Sequence, residues 1–385
     1  MKLLHLGDLH LGKSLGDFDL IEDQKYILDQ ITDIIKKESV DAVLIAGDVY
    51  DKAVPSEAAT KLLDYFLNQL ANLKVKTFMI SGNHDSDERL NYGSSLFEKS
   101  RIFISALYEG GLCRQTLEDE YGVVDIYLLP FVKASQVRHF FPDDVIESYD
   151  DAVRTIFKHA SIDKNHRNVL VAHQFVAGKG EDPSLGGSEG ASVQSVGLVE
   201  KIGYGCFDDF DYVALGHIHS PQRVGRDEVR YSGSPLKYSL SEVNNEKSVP
   251  IITLKEKGDV KIELVPLKPM RDMRHIKGTM DSLLDKKNIK APEDFIYVTL
   301  TDEDIINNAM GIFQQVYPNT IKIDYDNSHT REIEQVDISR IAENKSFTEL
   351  ISDFYRYIYN CEITEEEMDI MRMAAQEAGV INEAD

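Results

Sequence analysis

The stretch Val75-Lys76-Thr77-Phe78-Met79-Ile80-Ser81-Gly82-Asn83-His84-Asp85 decides the fold: an apolar run ends in a turn that carries an amide, an imidazole and a carboxylate. Alone it reads as a strand and an ordinary turn. The same arrangement recurs four times. Leu3 to Leu6 precedes Asp8 and His10, Ala42 to Ala46 precedes Asp48, Val169 to Ala172 precedes His173, and Tyr212 to Leu215 precedes His217 and His219. Short continuous apolar runs of this kind are buried strands. Ligand-type residues at their carboxyl ends stand where open α/β sheets bind ligands.

Helices fill the intervals. From Glu22 to Lys37 the residues Ile27, Ile31, Ile34 and Ile35 share one face. Pro55-Ser56-Glu57 reads as a helix start capped by Ser56, and Leu63, Phe66, Leu67, Leu70 and Leu73 form a stripe behind it. A core role for that stripe is favoured over an inter-subunit surface, although Leu62 and Tyr65 widen it. The segment Asp87 to Lys99 reads as a second helix interrupted by Gly93, and Asp150 to Ala160 as a third. Strands are expected at Arg101 to Ala106 and Asp125 to Leu129, and Val229 to Ser232, Ile251 to Leu254 and Lys261 to Val265 alternate like antiparallel strands. The loop Val176 to Gly197, with six glycines and four serines, is too long for a simple connector and is expected to cover or admit substrate.

Composition shifts near Lys268-Pro269, so residues 1–268 read as one domain. Residues 269–326 follow as a small α+β unit: strand Phe295 to Leu300, a helical stretch Asp302 to Val316, strand Thr320 to Tyr325. A polar linker over 327–345 leads to two helices in 346–385. In the first, Phe347, Leu350, Ile351, Phe354, Tyr355 and Ile358 recur at helical spacing; in the second, Thr364 and Glu367 make a capping box and Gly379 a stop. A helix pair behind a polar linker has little core of its own, and both docking on a partner and folding back stay open.

A length of 385 residues provides for two domains and a small appendage. No segment offers the roughly 18 apolar residues of a membrane span, and Met1-Lys2 leads straight into a strand without a signal-peptide pattern, so a cytoplasmic location is expected. Cys113, Cys206 and Cys361 fit no paired or zinc-binding spacing and read as apolar thiols in a reducing compartment. The formal charge of −24 argues against a protein that coats nucleic acid through its own field. Bound cations or a basic partner would relieve that objection.

Singly, each acid or histidine has a plain structural role as a cap, a core histidine or a turn residue. The set does not, because all share one register. Oxygen and imidazole donors without a thiolate suit manganese, iron or zinc. Asp8, His10, Asp48, Asn83, His173, His217 and His219 are seven candidates, more than one ion needs. Two ions about 3.5–4 Å apart, bridged by one carboxylate, would use them all and clamp a phosphate for in-line attack. The chemistry expected is phosphoester hydrolysis, with His84 placed to supply a proton to the leaving alkoxide.

Asp8-Leu9-His10, Gly47-Asp48, Gly82-Asn83-His84-Asp85, the His173 strand and Gly216-His217-Ile218-His219 together resemble the calcineurin-like metallophosphoesterases. Within that superfamily the chain is similar to the bacterial SbcD nuclease subunits, which act with the coiled-coil ATPase SbcC. This closer likeness rests on Leu4-His5-Leu6-Gly7-Asp8-Leu9-His10-Leu11-Gly12-Lys13, Gly47-Asp48-Val49-Tyr50-Asp51-Lys52, Ser232-Gly233-Ser234-Pro235 and Met270-Arg271-Asp272-Met273. It is strong over about the first 275 residues and weaker beyond.

The resemblance implies a four-layer α-β-β-α sandwich with a small α+β capping domain and a C-terminal helical tail. It implies two divalent metal ions, Mn2+ first, with Fe or Zn suited to the same donors. Asp8, His10 and His219 would hold one ion, Asn83, His173 and His217 the other, and Asp48 would bridge them, with His84 assisting the leaving group. Many archaeal and eukaryotic relatives carry a histidine where this chain has Asp51, so Asp51 has no role to inherit: it orients His84 or stabilises the turn. Asp85 is left with a turn-stabilising or supporting role.

The resemblance further implies a homodimer through helices near 56–73 and 87–99, a cap over the DNA site, and a tail that docks an SbcC-type ATPase. The assembly would be a heterotetramer. The function expected is ATP-regulated exo- and endonucleolytic cleavage of DNA ends and hairpins. A phosphatase or phosphodiesterase for a small nucleotide or phosphoprotein would use the same metal core, but has little need of a second domain and an amphipathic tail. A non-catalytic assembly factor would not need His84 beside a full ligand set.

Overall fold

The computed structural model describes residues 1–178, 183–184, 201–328, 347–359 and 363–377. Two six-stranded sheets dominate it. The first runs in the order Val260–Pro266, Ser248–Leu254, Lys2–Leu6, Ala42–Ala46, Lys76–Ile80, Ile102–Ser105, and its last four strands are parallel. The second runs Gln222–Val224, Arg226–Tyr231, Tyr212–Gly216, Arg167–His173, Gly122–Leu129, Cys113–Asp119.

The apolar runs lack polar alternation because both faces of each sheet are covered. Leu3, Ala42, Leu44 and Phe78 from the first sheet meet Ile126, Val169, Val171 and Ala214 from the second in the core between the sheets. Their neighbours point the other way. Leu4, Leu6, Val43 and Ile45 pack on the helices Ile21–Glu38 and Glu57–Asn72 through Ile27, Ile31, Leu63 and Phe66. Leu170, Ala172, Val213 and Leu215 pack on the helix Tyr149–His159 through Ala152, Val153 and Ile156. Helix, sheet, sheet, helix is the expected α/β layering.

Local signals explain the helix ends. Ser56 caps the helix Glu57–Asn72, its hydroxyl accepting from the Ala59 amide at 3.2 Å. Gly93 adopts φ +76 and divides Asp87–Asn91 from Ser94–Phe97. The stripe of Leu63, Phe66, Leu67 and Leu70 is buried in the core. Tyr92 and Leu96, by contrast, are 85% and 68% exposed.

Several expectations need correction. The strand read at Val229 to Ser232 is Arg226–Tyr231; in the second sheet it pairs antiparallel with Gln222–Val224 but in parallel with Tyr212–Gly216, whereas Ser248–Leu254 and Val260–Pro266 pair antiparallel in the first. Alternation fixes the side-chain period and not the pairing partner. The helical stretch Asp302 to Val316 contracts to Ala309–Gln314, preceded by Asn308 at φ +55. There the Asp302 and Glu303 carbonyls accept from the Asn327 side chain at 3.2 and 3.3 Å, and the Asp302 carboxylate accepts from the Met280 amide at 2.9 Å, so these groups serve distant partners. The strands Cys113–Asp119 and Met273–Gly278 and the helix Ala134–Phe140 are additional elements.

The chain divides into two compact units. One comprises Met1–Ile276, Leu283–Val298 and Asn308–Ile323, the other Lys277–Ser282, Thr299–Asn307 and Asp324–Asp385. In the second unit the helices Phe347–Tyr359 and Glu365–Glu377 are joined by a bond from the Tyr355 hydroxyl to Glu367 at 2.6 Å. The capping box forms: Glu367 accepts from the Thr364 amide at 2.9 Å, and its own amide donates to the Thr364 hydroxyl at 3.3 Å. Most of the loop from Val176 to Gly197, most of the linker over 327–345, and Gly379 lie outside the described residues. No described helix is long and apolar enough to cross a membrane.

Candidate metal centre

The centre lies where strands of both sheets end, and the backbone there is bent to the task. Asp8, His10, Asp48 and His217 adopt φ of +53, +43, +47 and +105, a region that costs non-glycine residues about 1–3 kcal/mol each. Backbone bonds hold the bends: the Asp8 amide donates to the Gly47 carbonyl at 3.1 Å and the His10 amide to the Asp48 carbonyl at 2.9 Å. Glycines admit the close approach. A Cβ on Gly216 would fall 1.9 Å from the Ala46 carbonyl oxygen, and one on Gly82 2.1 Å from the Asp48 carboxylate. Gly82 is therefore required for space.

The side chains converge as the sequence anticipated. Asp8, His10 and His219 have donor atoms within 4.8 Å of one another, and so do Asp8, Asp48 and His173. Asn83 Oδ1 lies 3.1 Å from His173 Nε2 and 2.9 Å from His217 Nδ1. Asp48 Oδ2 stands 3.6 Å from His10 Nε2 and 3.4 Å from His173 Nε2, between the two groups. Its other oxygen, Oδ1, accepts from the His84 amide at 2.9 Å.

This packing is favourable only around positive charge. His173 Nδ1 lies 2.8 Å from the Ala46 carbonyl, which can only accept, so Nδ1 carries the proton. Its Nε2 then faces two further acceptors, Asn83 Oδ1 and Asp48 Oδ2, which only a proton or a metal cation at that nitrogen satisfies. His10 and His219 oppose their Nε2 atoms at 3.0 Å. Each turns Nδ1 toward a carboxylate at 3.5 Å, Asp51 for His10 and Glu242 for His219. Asp8 Oδ2 is buried without a hydrogen-bond partner. Lone pairs converging on common points inside a buried pocket fit divalent cations.

Protonation follows the same logic. Burial holds the imidazoles of His10 and His217 down, to about 4 and about 3. Burial also disfavours the imidazolium of His173, but the adjoining Asp48 and Asp8 carboxylates outweigh it and raise the group to about 9. Asp8 is pushed up to about 6 by burial. Asp48 is buried too, yet His173 beside it holds its carboxyl well below the ordinary range.

The supporting residues separate into distinct jobs. Asp85 accepts from the amides of Val49, Tyr50 and Gly82 at 3.0, 2.9 and 2.9 Å and so ties two ligand-bearing turns together. His84 Nδ1 donates to the backbone carbonyl of Asp51 at 3.0 Å. The Asp51 carboxylate turns instead to Lys13 Nζ at 2.8 Å and to His10. Sequence reasoning missed Gln24, Tyr238, Glu242 and Lys247. Gln24 Nε2 donates to the His10 carbonyl at 2.7 Å, and the Tyr238 hydroxyl to the Leu9 carbonyl at 2.6 Å. Gln24 lies one turn into a helix and the other three beyond the strand that follows His219, where no periodicity marks them.

Comparison with known proteins agrees with the geometry. Residues 1–221 match the family model described as calcineurin-like phosphoesterase. Residues 269–358 match one described as the type 5 capsule protein repressor C-terminal domain. The chain is 36% identical over 356 residues to SbcD of the nuclease SbcCD of Staphylococcus epidermidis, covering 89% of this chain and 92% of that protein. Among solved structures it is similar to a dimetal phosphatase from Danio rerio, at 14% identity and a TM-score of 0.38, covering 70% of this chain and 98% of that one. The chain belongs to the calcineurin-like phosphoesterases, and with them to the metal-dependent phosphoesterases, in the branch of the SbcD nucleases.

Proposed function

We propose that the chain is the two-metal nuclease component of a DNA-processing complex, cleaving phosphodiesters at DNA ends and hairpins under the control of an SbcC-type ATPase. The observation that carries this reading is the convergence of Asp8, His10, Asp48, Asn83, His173, His217 and His219 from both sheets onto buried, facing lone pairs. Asp8, His10 and His219 would hold one ion and Asn83, His173 and His217 the other, with the Asp48 carboxylate available to both; manganese is the preferred ion, with iron or zinc suited to the same donors. When bound, the ions supply positive charge to a phosphate and lower the pKa of water.

The protein's own residues do the rest. His84 is held by Asp51 through Nδ1, which leaves Nε2 to deliver a proton to the leaving oxygen. Asp85 keeps Gly82 and the Asp48 turn in register, and Lys13 neutralises Asp51 at the edge of the centre.

Residues 1–268 form the nuclease domain in this reading, 269–326 a cap over the DNA, 327–345 a linker, and 346–385 the dock for the ATPase. Phe354, Ile370 and Met373 on the tail helices are 61%, 61% and 57% exposed, as a partner-binding pair would be. Two copies pair through the helices near 56–73 and 87–99, giving a heterotetramer in the cytoplasm. The basic partner and the ions together offset the acidic charge toward DNA.

Incubating the manganese-loaded chain, with and without its ATPase partner, with a DNA hairpin and with a small phosphodiester tests the reading. Hairpin cleavage that rises with partner and ATP is expected. Rapid turnover of the small ester alone, indifferent to the partner, would return the chain to the small-substrate phosphodiesterases.

A further inference from the structure

We infer that Glu242 and Lys247 form a positioning pair that sets His219, and through it the affinity of one of the two metal positions. Both side chains are buried, with Glu242 at 0% exposure. Their charges are joined at 2.5 Å, from Lys247 Nζ to Glu242 Oε2. They grip His219 from two directions. Glu242 Oε1 stands 3.5 Å from His219 Nδ1, and Lys247 Nζ donates to the His219 carbonyl at 2.9 Å. Ser234, from the Ser-Gly-Ser-Pro turn, receives a bond from Lys247 at 2.8 Å and contacts Glu242 at 3.3 Å.

A carboxylate at Nδ1 fixes the tautomer with the proton on that nitrogen, so Nε2 presents its lone pair toward His10. The lysine fixes the backbone of the same residue, so that side chain and main chain of His219 cannot turn independently. A buried ion pair contributes little to stability over an apolar pair of the same size, which makes a bare structural role a poor account of it. Its placement on one ligand is the better account. The backbone comes with it: the 3-10 turn Leu240–Glu242 is closed by Ser239, whose carbonyl accepts from the Glu242 amide at 3.0 Å.

The test is manganese binding to the full-length chain, followed by calorimetry and by electron paramagnetic resonance. E242Q alone would leave Lys247 buried without its counter-charge, so the informative variant is E242Q/K247M, which removes both charges at similar volume. One of the two ions is expected to bind about 10- to 100-fold more weakly, with the other unchanged and the thermal midpoint of the metal-free protein close to wild type. E242D keeps the charge that Lys247 needs and retracts it by one methylene, and it is expected to weaken the same ion. Native affinity for both ions in either variant overturns the inference, as does equal weakening of both. The inference rests on the two-ion reading above: a wild-type chain that binds fewer than two ions sinks that reading, whereas two native-affinity ions in the variants sink only this one.

Discussion

His84 shows how far a residue's neighbours in sequence can mislead. It lies one position beyond Asn83, yet its ring meets that of His10, with centroids 4.8 Å apart at 89°. Because its Nδ1 is committed to the Asp51 carbonyl, H84N should keep both metal positions and lose strand cleavage by roughly 10²- to 10⁴-fold. Single-turnover cleavage paired with manganese titration checks this; undiminished cleavage removes His84 from the chemistry. The residues that converge on the centre were legible as a set because each follows a strand, a relation that survives translation into one dimension. Asp51 was legible only as a position: that its carbonyl serves His84 while its carboxylate serves Lys13 and His10 is a matter of side-chain direction. Glu242 and Lys247 were illegible, since their significance is a contact with His219 made across 23 and 28 residues.

At the scale of elements, amphipathic patterning gave the helices and their capped ends, and continuous apolar runs gave the central strands. The edge strands of the second sheet escaped. Cys113–Asp119 exposes Arg114, Thr116 and Glu118 between half-buried positions and buries only Leu117, and its strand character comes from pairing with Gly122–Leu129 across a tight turn. The helix Glu57–Asn72 carries a further lesson. Its stripe is spent on the core, where Phe66 is 0% exposed, so F66E should destabilise the fold by about 3–5 kcal/mol. The apolar surface left over nearby belongs to Tyr92, Leu96 and Phe97. Y92E/L96E is therefore the substitution expected to give monomers by light scattering while leaving the thermal midpoint within a few degrees of wild type. A dimer that persists in Y92E/L96E would place the pairing surface elsewhere.

For the whole molecule, the decisive balance is between a formal charge of −24 and a centre that gathers two carboxylates and four imidazoles in a buried space. In the metal-free chain a proton substitutes for the missing positive charge. His173 has its pKa raised to about 9 because, against the opposing effect of burial, Asp48 and Asp8 favour the imidazolium. A group whose folded pKa lies above its unfolded value near 6.5 stabilises the fold fully below that value, and the contribution is lost as pH rises through the folded pKa. Asp8, raised to about 6 by burial, acts in the same sense at lower pH, its contribution fading as pH climbs from about 4 to about 6. The chelator-stripped protein should therefore lose stability steadily between pH 6.5 and 9, by on the order of 3 kcal/mol at most. Manganese should reverse the trend, because an ion at His173 would displace its proton, and affinity would rise where that proton is held less tightly. At a free concentration a hundred times its dissociation constant, an ion adds about 2.7 kcal/mol. Thermal midpoints recorded from pH 6 to 9 with chelator and with manganese should diverge as pH rises. Parallel curves would mean that His173 does not exchange its proton for metal, and would require another residue in its place.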